Sequence, residues 1–65
     1  MTWEELTGRW EQLKGQVKTQ WGRLTDDDLA EVEGQRDQLV GKVRERYAIA
    51  QEEAQRQVDE WLDRL

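Results

Sequence analysis

Trp21-Gly-Arg-Leu-Thr-Asp-Asp-Asp-Leu29 and, shortly after it, Glu33-Gly-Gln-Arg-Asp-Gln-Leu-Val-Gly-Lys-Val43 hold the sharpest helix stop and start signals in the chain. One helix arrives there and another leaves. Thr25 with Asp28 three residues on has the form of a capping box, the hydroxyl accepting from the backbone N–H of residue 28. Asp26, Asp27 and Asp28 lie where the helix dipole favours negative charge. Leu24 before the cap and Leu29 after it are placed as a hydrophobic staple, which sets the angle of the turn. These signals are architectural, and none spells out a reaction.

Downstream of the cap, a short helix over 26–33 buries Leu29 and Val32, and Gly34 is a natural hinge or stop. Upstream, Thr2-Trp-Glu-Glu5 repeats the capping-box pattern and opens a helix over about 3–22. Its apolar residues Trp3, Leu6, Trp10, Leu13, Val17, Trp21 and Leu24 step by three and four, with one departure between Val17 and Trp21 where the helix can bend. Gly8, Gly15 and Gly22 run along the opposite side. Gly8 reads as a fray or break and Gly22 as the C-terminal stop, whereas Gly15 is either simply internal or part of a flat ridge open to close approach.

A third helix, about 35–47, presents Leu39, Val40, Val43 and Tyr47 on one side. Arg36, Lys42, Arg44 and Arg46 lie on the other, and Gly41 repeats the seven-residue glycine spacing from Gly34. The boundary that follows is weakly written, because Tyr47-Ala-Ile-Ala-Gln51 has neither a glycine stop nor a polar cap, and propensity alone allows one helix over 35–64. Ile49 before Ala50, with Ala54 at the staple position, favours a break and a last helix over about 51–64. That helix carries Ala54, Val58, Trp61, Leu62 and Leu65.

With 65 residues and no linker or low-complexity tract, a single domain over 1–65 is expected, in the size range where one core is barely sufficient. Cysteine and histidine are both absent. Disulfides, thiolate nucleophiles, the usual zinc ligands and a Ser-His-Asp relay therefore have no place in it. Residues 1–20 lack the apolar block of a signal peptide, and no apolar run approaches the roughly 20 residues of a bilayer span. A cytoplasmic monomer with no membrane contact is the expectation.

The net charge of −5 argues against general affinity for nucleic-acid phosphates. Its distribution is uneven. Residues 1–24 carry +4 and −3, residues 25–34 carry −5, residues 35–47 carry +4 and −2, and residues 48–65 carry +2 and −5. Such alternation suits helices that attract one another, although exposed pairs are worth only about 0–1 kcal/mol.

No residue set points to catalysis. Asp26, Asp27 and Asp28 are the only clustered carboxylates, and they lack the alternating oxygen ligands and the glycine of a calcium loop. No feature selects an acid pair for glycosidic chemistry, and the glycines are not clustered as in a phosphate-binding loop. Catalytic, cofactor-binding and metal-ligating residues are all assigned as none, and no enzyme activity is expected. Of the four tryptophans, Trp3, Trp10 and Trp21 share a stripe with leucines and read as core. On the less favoured reading, in which the indoles form a contact surface, Trp3 and Trp61, near the ends, are the best candidates for exposure to a partner. The alternative is a nucleic-acid-associated module using Lys14, Lys18, Arg23, Arg36, Lys42, Arg44 and Arg46 on one face.

At Lys14-Gly-Gln-Val-Lys18, Trp21-Gly-Arg-Leu-Thr-Asp-Asp-Asp-Leu29, Glu33-Gly-Gln-Arg-Asp-Gln-Leu-Val-Gly-Lys42 and Arg46-Tyr47, the sequence closely resembles the CsbD-like family of small bacterial general-stress proteins. The resemblance runs in register from Trp10 to about Trp61. It implies a stress-induced cytoplasmic protein of undetermined molecular activity, acting through protein contacts or as a soluble protectant. The implied fold is all-α: a small four-helix domain of two helical hairpins packed crosswise, SAM-domain-like. No catalytic residues or cofactors come with it. Where the family commonly has glycine and then serine or a similar cap after the tyrosine, this chain has Ala48 and Ala50.

Overall fold

The computed structural model describes residues 2–65, and among them all regular structure is helical. Five helices follow in order: α1 Trp3–Gly8, α2 Trp10–Gln20, α3 Asp26–Val32, α4 Arg36–Tyr47 and α5 Gln51–Arg64. The expected count of four becomes five because the segment 3–22 is two helices. Gly8 ends α1, and Arg9 (φ −113°, ψ 19°) stands between them, closing α1 through its N–H to the Glu5 and Leu6 carbonyls. Arg9 also caps α2 with no side-chain hydrogen bond, so this joint has no polar cap and rests on a glycine that weakens a helix interior.

The threonine caps form at both expected places. Thr2 accepts from the Glu5 N–H at 3.2 Å, while its hydroxyl donates to the Glu5 carboxylate at 3.4 Å. At Thr25 the box is complete: Asp28 N–H donates to the Thr25 hydroxyl, and Thr25 N–H to the Asp28 carboxylate, each at 3.1 Å. Leu24 and Leu29, the staple pair, are both buried.

Residues 35–64 are two helices. Ala48 takes the left-handed conformation (φ 54°, ψ 44°), its N–H and that of Ile49 both reaching the Arg44 carbonyl. Ala50 is the N-cap of α5, as the staple pattern implied, with Ile49 packed on the core and Ala54 fully buried beyond it. α3 ends similarly: Glu33 (φ 49°) and Gly34 (φ 77°) are both left-handed.

α4 is the central helix, packed against α3 on one side and α5 on the other. One hydrophobic cluster fills the interior, from Leu6, Trp10, Leu13 and Val17 through Leu39 and Val43 to Val58 and Trp61. Trp21 links the end of α2 to α5 across it. Its ring meets that of Trp61 edge-on, centroids 5.5 Å apart, and its indole N–H donates to Gln57 Oε1 at 3.1 Å. Trp61 is 5% exposed, so it is a core residue rather than an exposed one; Trp3 is half-buried against the same cluster.

α1 is fastened to the α3–α4 junction by Thr7. Its hydroxyl lies 2.9 Å from the Trp3 carbonyl and 3.0 Å from that of Gly34. A Cβ at Gly34 would come within 2.8 Å of Thr7 Cα, so the close approach requires glycine. At Gly8, Gly15, Gly22 and Gly41 an added Cβ meets nothing within 4 Å. Among the described residues nothing packs closely against those four glycines.

Candidate functional site

The chemically distinctive groups lie in the ion pairs that join the helices and in one open groove. Asp28 is the sole buried charged residue among those described, at 3% exposure. The capping geometry draws it inward, and Arg46 on α4 meets it with a fork: Nε and Nη2 each lie 2.8 Å from one carboxylate oxygen. Lys42 Nζ is 3.6 Å away and pairs more closely with Glu31. The Arg46 guanidinium holds the Asp28 carboxyl well below the usual carboxylate range, and the Thr25 N–H adds to this against the opposing effect of burial. Glu31 likewise raises the Lys42 ammonium.

The alternating charge of the sequence becomes a set of interhelical bridges. Acidic 25–34 meets basic 35–47 through Asp28–Arg46 and Glu31–Lys42. Basic 35–47 meets acidic 48–65 where Arg36 grips Asp59 with two 2.9 Å bonds. Lys18 reaches Asp26 at 2.9 Å, tying α2 to the start of α3. Among the seven cations considered for a nucleic-acid face, Lys14 also pairs, with Glu11, and Arg23 lies over the Tyr47 ring at 5.5 Å. Only Arg44 of the seven has no such partner among the described residues.

The three aspartates do not converge. Asp26 turns to Lys18 and Asp28 to Arg46, and among the described residues no group of three or more His, Cys, Asp or Glu is arranged to hold a metal ion. The buried side-chain polar atoms of those residues all have hydrogen-bond partners.

A groove of about 640 Å³ lies between α2 and α3. Trp10 and Leu29 lie at its floor, 8% and 3% exposed. α2 contributes Glu11, Lys14, Gly15 and Lys18 as one wall; Asp26, Ala30 and Glu33 form the other. Both walls use positions spaced by three and four, one face of a helix each. Gly15 therefore lines the groove, and a Cβ added there would meet open space. Sequence spacing showed its face but not the second wall, since α3 reaches it only after the Trp21–Thr25 turn. A shallower hollow continues past Glu33 to Thr7, Gly8 and Arg9.

Fold and site together define a small all-helical protein whose aromatic groups are mostly internal and whose surface is laced by ion pairs between neighbouring helices. The profile of the CsbD-like family matches residues 4–56, and the chain belongs to that family. It is similar to the UPF0337 protein YjbJ of Escherichia coli (strain K12), 52% identical over 64 residues, covering 98% of this chain and 93% of the relative. The UPF0337 protein ECA0631 of Pectobacterium atrosepticum is 51% identical over 63 residues, covering 97% and 91%. None of the described helices is long and apolar enough to cross a membrane.

Proposed function

We propose that this chain is a non-enzymatic stress-response protein of the cytoplasm, acting as a monomer whose exterior contacts other proteins. One observation carries this reading: Trp10, Trp21 and Trp61 are all within the core, so the groups best suited to line a catalytic or cofactor cleft are used in holding the molecule together. The absence of histidine and cysteine from the sequence supports it further. The crosswise two-hairpin arrangement belongs to the same proposal. The α4–α5 pair and the Trp21–Trp61 contact that crosses to it favour this packing. Interproton contacts between α2 and α5 in solution test it.

Crosslinking and affinity capture from stressed cells test the functional reading. A recurrent protein partner and reduced survival of a deletion strain are expected. No partner together with wild-type survival contradicts the reading. Binding to DNA or RNA at low salt is expected to be absent, since six of the seven candidate cations are already engaged.

A further inference from the structure

We propose that α1 is a latch with two positions: docked at the α3–α4 junction at rest, and swung out about Gly8 and Arg9 as the first turns of one continuous helix over 3–20, with α2–α5 keeping their packing. The inference concerns the chain's own conformations, goes beyond the protein-contact reading and stands or falls without it.

The hinge carries the first step. Trp3, Leu6, Trp10 and Leu13 keep the three-and-four spacing of a single helix straight through the joint, so local sequence favours continuity and the bend is imposed by packing. Arg9 (φ −113°, ψ 19°) departs from α-helical values by roughly 50–60° in each dihedral. In an unbroken helix the Leu6 carbonyl takes the Trp10 N–H and the Gly8 carbonyl takes that of Gln12. Here the Arg9 N–H reaches the Leu6 carbonyl at 3.1 Å, and the Gln12 N–H turns to the Arg9 carbonyl at 2.9 Å. Bringing Arg9 to helical dihedrals restores the regular pattern.

The fastening of α1 carries the second step. Lys18–Asp26 ties α2 to α3, Asp28–Arg46 ties α3 to α4, and Arg36–Asp59 ties α4 to α5. Among the described residues no ion pair ties α1 to another helix. It is held by the burial of Leu6, by the partly buried Trp3, and by the Thr7 hydroxyl 3.0 Å from the Gly34 carbonyl. That hydroxyl is also 2.9 Å from the Trp3 carbonyl within α1, so it keeps an acceptor when the latch lifts. Two discrete arrangements therefore compete: burial of two apolar side chains and one hydrogen bond against unbroken helix bonding. Lifting brings Trp3 and Leu6 into the open and uncovers their seat, an apolar surface covered at rest.

The test is saturation-transfer NMR on the full chain, labelled with 13C and 15N, well below its melting temperature. A minor state of roughly 1–10% is expected, in which the Arg9 Cα shift moves to helical values and residues 3–8 stay helical. Its shift differences are confined to α1, the joint and the surroundings of Gly34. Gly8→Ala places a helix former at a site that ends a helix when docked and lies inside one when lifted, and is expected to raise the minor-to-major ratio roughly twofold to fivefold. Thr7→Val removes the bond to Gly34 with little change of shape and is expected to raise it roughly twofold to tenfold. Gly15→Ala, interior to α2 in both positions, leaves it unchanged. Simple fraying behaves oppositely, with coil shifts over residues 3–8 and a minor state that Gly8→Ala depletes. Coil shifts, a ratio that Gly8→Ala lowers or leaves as it was, a ratio unmoved by Thr7→Val, or no minor state above about 1% overturns the latch.

Discussion

Arg46 holds the buried Asp28 carboxylate through two 2.8 Å hydrogen bonds, linking the first turn of α3 to the last turn of α4. The same carboxylate closes the Thr25 capping box, so one side chain both starts a helix and fastens it to its neighbour. Asp28→Asn keeps the shape and removes the charge. It is expected to cost about 1–3 kcal/mol in urea unfolding at neutral pH, discounted from a fully buried pair because Arg46 is partly in water.

The pH dependence of that variant has a definite sign. The folded-state pKa of Asp28 is depressed below its ordinary 3.8, so the unfolded chain takes up the proton first as pH falls. The stabilisation is complete above that value and declines beneath it. Unfolding free energies of wild type and Asp28→Asn are therefore expected to differ most near neutrality and to converge as pH falls below about 4. A gap that widens on acidification contradicts the pairing.

Ala48→Gly reads the break between α4 and α5 by the sign of its effect. An alanine at φ 54° bears a left-handed penalty of about 1–2 kcal/mol, partly offset by the freedom glycine adds to the unfolded chain. A gain of about 0.5–1 kcal/mol is expected in chemical denaturation. Were residues 35–64 one helix, the same change would sit in a helix interior and cost a similar amount.

The glycines divide in the same way. Gly34→Ala drives a Cβ to 2.8 Å from Thr7 Cα on left-handed backbone and is expected to lower stability by about 2 kcal/mol or more. Gly15→Ala and Gly41→Ala add a methyl in open space within helices and are expected to raise it by about 0.5–1 kcal/mol each. Thermal melts of the three variants check the order.

What the sequence shows of this fold follows the range of the forces involved. The helix starts at Thr2 and Thr25 are legible because a cap and its partner lie three residues apart, and the apolar stripe of 3–24 is legible because burial repeats with the helix. The α4–α5 break shows only as the Ile49 and Ala54 staple, since a left-handed alanine leaves no composition signal. The Asp28–Arg46 fork is hidden for another reason. Eighteen residues separate them, any of four cations in 35–47 suited the role, and capping geometry alone decides which carboxylate turns inward. Trp61 is near the chain end, where exposure is the simple expectation; its burial follows from Trp21 crossing to α5, a long-range contact that no local pattern encodes.

The claim underlying the functional reading is that the indoles are structural, and fluorescence quenching tests it most directly. With acrylamide, Trp3→Phe is expected to remove most of the quenchable emission, leaving the blue-shifted and protected signal of Trp10, Trp21 and Trp61. Emission that remains red-shifted and freely quenched in that variant would show the indoles open to solvent, contradicting a structural role for them and pointing to a tryptophan-lined binding cleft instead.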